Sequence, residues 1–81
     1  VGRYAVIIEC AEDGGYGAYS PDVPGCIALG DTPAEALRQY AEALRLHFEG
    51  LREDGLPVPA PSTHIVSVTS VEATWPEPGT R

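Results

Sequence analysis

Eighty-one residues, 43% of them hydrophobic, suffice for one small domain with a thin core, since a chain this short buries only about 60% of its unfolded surface; a partner or a second copy is an expected source of further cover. Twelve acidic residues against five arginines give a net charge of -7, which disfavours direct nucleic-acid binding for want of a basic footprint and leaves the acidic surface as either solubilising charge or a partner-facing one. No run reaches the roughly 18 apolar residues of a membrane span, the first strand lacks the regions of a signal peptide, and Cys10 and Cys26 form neither a disulfide framework nor a paired zinc motif with His47 or His64, so a soluble cytoplasmic protein with reduced core thiols is expected.

From Tyr4 to Ala11 the chain alternates Tyr4, Val6, Ile8 and Cys10 on one face with Ala5, Ile7, Glu9 and Ala11 on the other, a strand pattern apolar on both sides. Glu12-Asp13-Gly14-Gly15 tolerates positive φ and predicts a hairpin into a second strand, Tyr16 to Ser20. Pro21-Asp22-Val23-Pro24-Gly25 interrupts pairing, because its prolines lack donors and Gly25 favours a turn. Pairing resumes from Cys26 to Leu29.

Thr32 as N-cap, Pro33 as first helical residue and Glu35 three residues after the cap predict a capping box with reciprocal hydrogen bonds. Leu37, Tyr40, Ala41, Leu44, Phe48 and Leu51 then recur at helical spacing and are expected to face the sheet. Glu35, Glu42, Glu49 and Glu53, with Leu46 among them, fall on the outward side. Gly50 weakens the last turns, and Gly55 followed by Pro57 ends the helix. Pro57, Pro59 and Pro61 form a stiff crossover to a last strand from His64 to Val71. Residues 1–74 are read as the domain, and 75–81 as a flexible, proline-containing tail.

This order defines an α+β fold, β-β-β-α-β. A meander of three antiparallel strands is followed by a right-handed crossover that brings the fourth strand beside the first. The expected result is a mixed four-stranded sheet of order 3-2-1-4 with one helix packed on one face. A single helix leaves the other face, with residues such as Ile7, Ile27 and Ile65, without cover, which predicts a homo-oligomer formed through that face or an edge strand.

A strand ending in tyrosine, the loop Pro21-Asp22-Val23-Pro24-Gly25-Cys26, then Gly30-Asp31-Thr32 with Glu35-Ala36-Leu37, and a later Pro57-x-Pro59-x-Pro61-Ser62 together closely resemble the HicB-like antitoxin family. The resemblance spans Tyr4 to Ser62. It implies a partial ribonuclease H-like fold and the antitoxin half of a toxin-antitoxin pair, whose partner is a small basic HicA-like toxin that cleaves messenger RNA. Most members also carry a C-terminal DNA-binding module. About ten residues follow Val71 here, too few for one, so operator binding is not expected of this chain.

No catalytic, metal or cofactor site is expected. Ribonuclease H-type chemistry needs carboxylates converging on two metal ions, but Glu9 stands late in the first strand, Glu35 serves the cap, and the fourth strand offers only Ser67, Thr69 and Ser70. His47 lacks a nucleophile or orienting group, which favours a partly buried structural histidine over a general base. Cys26 reads better as a packed thiol than as a nucleophile. The Asp22 loop either shapes the connection between strands or projects as a binding rim. The outer helix face is either solvated or a docking patch, with Glu42 and Glu49 flanking Leu46 and steering a basic toxin, Glu42 foremost. The alternative function is an orphan oligomeric protein-binding or scaffold domain that has kept the fold without a toxin.

Overall fold

The computed structural model describes residues 2–65, 70, 72–76 and 78–79. Three strands, β1 (Ile7–Cys10), β2 (Tyr16–Tyr19) and β3 (Ile27–Gly30), form an antiparallel sheet of order β1-β2-β3, and one helix, α1 (Pro33–Glu53), lies across one face. β1 is shorter than the expected Tyr4 to Ala11. Its partner ends at Tyr19 opposite Ile7, and Ala11 already belongs to the turn, donating its N–H to Gly15 O at 2.7 Å. Gly14 supplies the positive φ of 91° there. β3 starts one residue later than expected, at Ile27, and runs to Gly30, which pairs with Tyr16.

Strand register sorts the side chains into two layers. On the helix side the rows are Ile8–Ala18–Ala28 and Cys10–Tyr16–Gly30; on the other, Ile7–Tyr19–Ile27 and Glu9–Gly17–Leu29. Both helix-side rows end on β3 in a small residue, Ala28 in one and Gly30 in the other, and the helix sits closest there. A Cβ on Gly30 would lie 2.5 Å from the Ala36 nitrogen, so the missing side chain is what admits the helix backbone.

This approach also sets the rotation of the helix. Ala36 and Tyr40 are fully buried with Ala18, Val23 and Cys26, and Ala43, Leu44 and Phe48 pack against that cluster. The expected stripe is therefore corrected at two positions: Leu37 is 47% exposed and Ala41 is exposed as well, because Ala36 rather than Leu37 meets Gly30. Cys26 is buried as expected. Cys10 is exposed, which corrects its reading as a core thiol; it ends β1, which among the described residues pairs with β2 alone.

Both helix ends are specified by sequence. Thr32 Oγ1 accepts from Glu35 N at 3.0 Å, while Glu35 Oε1 accepts from Asp31 N at 2.9 Å. The return arm thus reaches one residue before the cap rather than the cap itself. At the other end Gly55, at φ 71°, carries a Schellman pair, with Leu56 N donating to Leu51 O at 2.8 Å and Gly55 N to Arg52 O at 3.1 Å.

After the helix the chain returns as a strap over the segment that precedes β1. Tyr4 donates its hydroxyl to Pro59 O at 2.6 Å, and its ring lies 5.4 Å from that of Phe48. The expected fourth strand, His64 to Val71, falls largely on residues 66–69 and 71, outside the described residues; His64, Ile65 and Ser70 are not in a strand. No described helix is long and apolar enough to cross a membrane.

Candidate protein-binding surfaces

The outer face of α1 carries Glu42, Leu46 and Glu49 as the helical spacing requires, all exposed, with Leu46 at 54%. A cation lies between the two carboxylates. Arg45 donates from Nη2 to Glu42 Oε1 at 2.5 Å, from Nε to Glu42 Oε2 at 3.2 Å, and from Nη1 to Glu49 Oε1 at 2.8 Å. The bonds from Arg45 lower the Glu42 carboxyl below its ordinary range, and the two glutamates in turn raise the guanidinium. The face is thus a charge-paired ladder with one net negative charge beside an exposed leucine, rather than a bare acidic stripe. The signal was in the sequence: Glu-x-x-Arg-x-x-x-Glu places the arginine at i+3 from one acid and i-4 from the other.

Asp22, the fourth candidate contact, is committed within the chain. Its Oδ2 accepts from the backbone N–H groups of Ser62 and Thr63, each at 2.9 Å, and its Oδ1 accepts from their hydroxyls at 2.9 and 2.8 Å. Bonds to Thr63 and then Ser62 hold its pKa down to about 2. The surrounding loop explains the geometry. Ser20 is buried, its Oγ accepting from Asp22 N at 3.3 Å and its carbonyl from Val23 N at 3.3 Å, while Val23 points into the core and Gly25 turns the chain at φ 84°. Pro21 and Pro24 stay exposed on either side. Spacing alone gave no sign that this carboxylate and Ser62, both quoted in the same motif, are bonded to one another.

The second surface is the sheet face turned away from the helix. Ile27 and Leu29 are 66% and 70% exposed and Ile7 40%. Glu9 is the sole charged residue in the two outward rows, and it accepts a hydrogen bond from Tyr19, which raises that phenol's pKa. His47 is partly buried, its ring 6.2 Å from that of Phe48. Among the described residues no three His, Cys, Asp or Glu side chains are gathered as a metal site would require.

Residues 4–75 match the family described as the HicB-like antitoxin of bacterial toxin-antitoxin systems. The chain belongs to this family. Among HicB-like relatives, it is 42% identical to antitoxin HicB 1 of Photorhabdus laumondii over 73% of this chain and 38% of that one. With antitoxin HicB of Escherichia coli K12 it shares 37% identity over 74% of this chain and 44% of the other. It therefore spans less than half of these antitoxins, whereas a short relative from Thermoplasma acidophilum, the UPF0150 protein Ta0767, is 36% identical over 82% of this chain and 96% of its own length. The crystal structure of the N-terminal domain of the Burkholderia pseudomallei antitoxin HicB aligns with a TM-score of 0.63 and 32% identity, over 72% of this chain and 69% of that one. The HicB-like fold with three antiparallel strands and one helix is thus common to both.

Proposed function

We propose that this chain is a non-enzymatic HicB-like antitoxin domain that binds a small, basic, HicA-like messenger-RNA-cleaving toxin in the cytoplasm and neutralises it by covering its active surface. Family membership over residues 4–75 carries the reading, and the net charge of -7 suits it to a cationic partner. The docking face we assign is the outer side of α1. There Glu42 and Glu49 are held in place by Arg45 and exposed Leu46 supplies an apolar contact; Asp22 contributes indirectly, by fixing the strap. Fixed rather than mobile carboxylates lose less side-chain entropy on binding.

The fold is proposed to be completed as a partial ribonuclease H-like sheet of order 3-2-1-4. Supporting this, Thr63, His64 and Ile65 share a shallow cleft with Arg3, Tyr4 and Ala5, so the chain re-enters beside the start of β1. Self-association is proposed as well, on the strength of the uncovered apolar face. The deciding experiment is co-expression with a neighbouring reading frame that encodes a small basic protein. Relief of growth arrest and a co-purifying complex are expected. Neither effect with any such neighbour would leave the orphan scaffold reading.

A further inference from the structure

We infer that the outer face of α1 takes a helix of the basic partner that carries an acidic, a basic and an acidic residue at successive seven-residue intervals, with Arg38 and Arg52 setting its register. This rests on the proposal that the outer side of α1 is the toxin-binding face, and it names what lies against that face.

The sequence of α1 repeats every seven residues: Glu35-Ala36-Leu37-Arg38, Glu42-Ala43-Leu44-Arg45 and Glu49-Gly50-Leu51-Arg52. Contact with the sheet accounts for part of the repeat, since Ala36 is buried and Ala43 and Leu44 pack against the same cluster. It does not account for the arginines. Helical geometry brings Arg38, Arg45 and Arg52 onto one row that drifts by only about 20° per repeat, on the side of α1 opposite Ala36, and all three are exposed. Three of the five arginines in a chain of net charge -7 thus line the outermost row of a face that meets a cationic partner. Attraction by acidity alone has no use for them.

The pairing within the row sharpens the pattern. Spacing offers Arg38 two acids, Glu35 three residues before it and Glu42 four residues after. Neither takes it. Glu35 accepts from Asp31 N at the cap, while Arg45 engages both oxygens of Glu42 together with Oε1 of Glu49. Arg52, three residues beyond Glu49, is likewise without a carboxylate partner among the described residues. The row therefore reads as a free cation, a triad with one net negative charge, and a second free cation, at intervals of about 10.5 Å. Its complement is an acid, a base and an acid at the same interval.

That interval selects the partner's secondary structure. About 10.5 Å is seven residues of a helix, which return to one face. On a strand, side chains of one face recur about every 6.6 Å, and a residue about 10 Å along points to the opposite face. A partner helix crossing α1 at about 20° follows the drift of the row. Leu46, 54% exposed, borders the row on one side and exposed Ala41 on the other, so an apolar contact accompanies the charged one.

Calorimetry on the complex of the full chain with the small basic protein of the neighbouring reading frame tests the inference. Arg38→Glu and Arg52→Glu each make the chain more negative, which would tighten a complex held by net charge alone. Each should instead weaken it at least about tenfold. Arg38→Ala and Arg52→Ala, which put a good helix former at an exposed site, should each weaken it about threefold. Arg3→Glu, the same change of charge outside α1, should not weaken it. Arginine in place of one partner acid should restore binding to Arg38→Glu, and arginine in place of a second acid, fourteen residues along the same helix, should restore it to Arg52→Glu. Affinity unchanged or raised by Arg38→Glu and Arg52→Glu, an equal loss with Arg3→Glu, or rescuing acids that do not share a helix would overturn the inference and leave toxin binding standing. No complex at all would overturn toxin binding, and the helix contact with it.

Discussion

The carboxylate of Asp22 accepts hydrogen bonds from both the backbone N–H and the hydroxyl of Thr63, 41 positions further along the chain. With the matching pair from Ser62, it fastens the proline crossover to the loop between β2 and β3. Asp22→Asn keeps the size but offers one acceptor oxygen in place of two, turning an amide group toward two donors. A fall in Tm on the order of 5 °C is expected in thermal melts of a domain this small, with Ser62→Ala and Thr63→Ala each giving a smaller loss.

The same contact has a defined pH dependence. Asp22 titrates near 3.8 when unperturbed and at about 2 in the folded chain. A depressed folded-state pKa contributes stability that is complete above the unfolded value and is lost as pH falls toward the folded one. The Tm difference between wild type and Asp22→Asn should hold constant from neutral pH to about 5 and shrink between about pH 4 and pH 2. A difference that persists unchanged at pH 2 would assign the stabilisation to packing.

On α1, the Arg45 pairs with Glu42 and Glu49 are exposed on both sides, and such pairs contribute little to folding. Arg45→Ala should shift Tm by less than about 2 °C. Its effect belongs to binding. Glu42→Arg with Glu49→Arg should weaken a complex with a basic toxin at least tenfold in calorimetry, and raising the salt concentration should slow association of the wild type more than of the variant.

Gly30→Ala places a methyl group 2.5 Å from the Ala36 nitrogen and 2.9 Å from its Cα. Backbone on both sides leaves no flexible side chain to yield, so a loss of about 3 kcal/mol is expected in urea unfolding. A neutral result would mean that the helix can lift from β3 without cost.

Tyr40 is fully buried, and its hydroxyl has no hydrogen-bond partner among the described residues. Burial raises its pKa, with the Cys26 thiol adding to the effect. Tyr40→Phe should be within about 1 kcal/mol of wild type or slightly stabilising, whereas Tyr40→Ala should cost roughly 3–5 kcal/mol through the cavity it leaves.

Features encoded by short-range chemistry were readable before the structure. Thr32, Pro33 and Glu35 announced the helix start, Gly55 its end, and Gly14-Gly15 the first turn. Features that depend on tertiary approach were not. Leu37 and Ala36 are adjacent in a helical pattern, and only the missing side chain of Gly30, on another element, decides which of them is buried. The partners of Asp22 were likewise invisible, since a clasp closing over 41 positions leaves no periodicity. Arg45 is legible by spacing, at i+3 from Glu42 and i-4 from Glu49, within a face whose glutamates alone stand out by charge. The recognition of the family rested on the loop and cap residues, and the match over residues 4–75 agrees with it.

The small residues that end the helix-side rows on β3, Ala28 and Gly30, have a consequence for local stability. Because α1 sits closest over β3 and β2, β1 and the residues before it rely on the strap, through Tyr4 with Pro59 and Phe48. Elements with fewer packed contacts open at lower free energy than the rest of a domain. The amides of β1 that bond to β2 should exchange with solvent sooner than those of α1, and at a rate that rises in step with release of the strap.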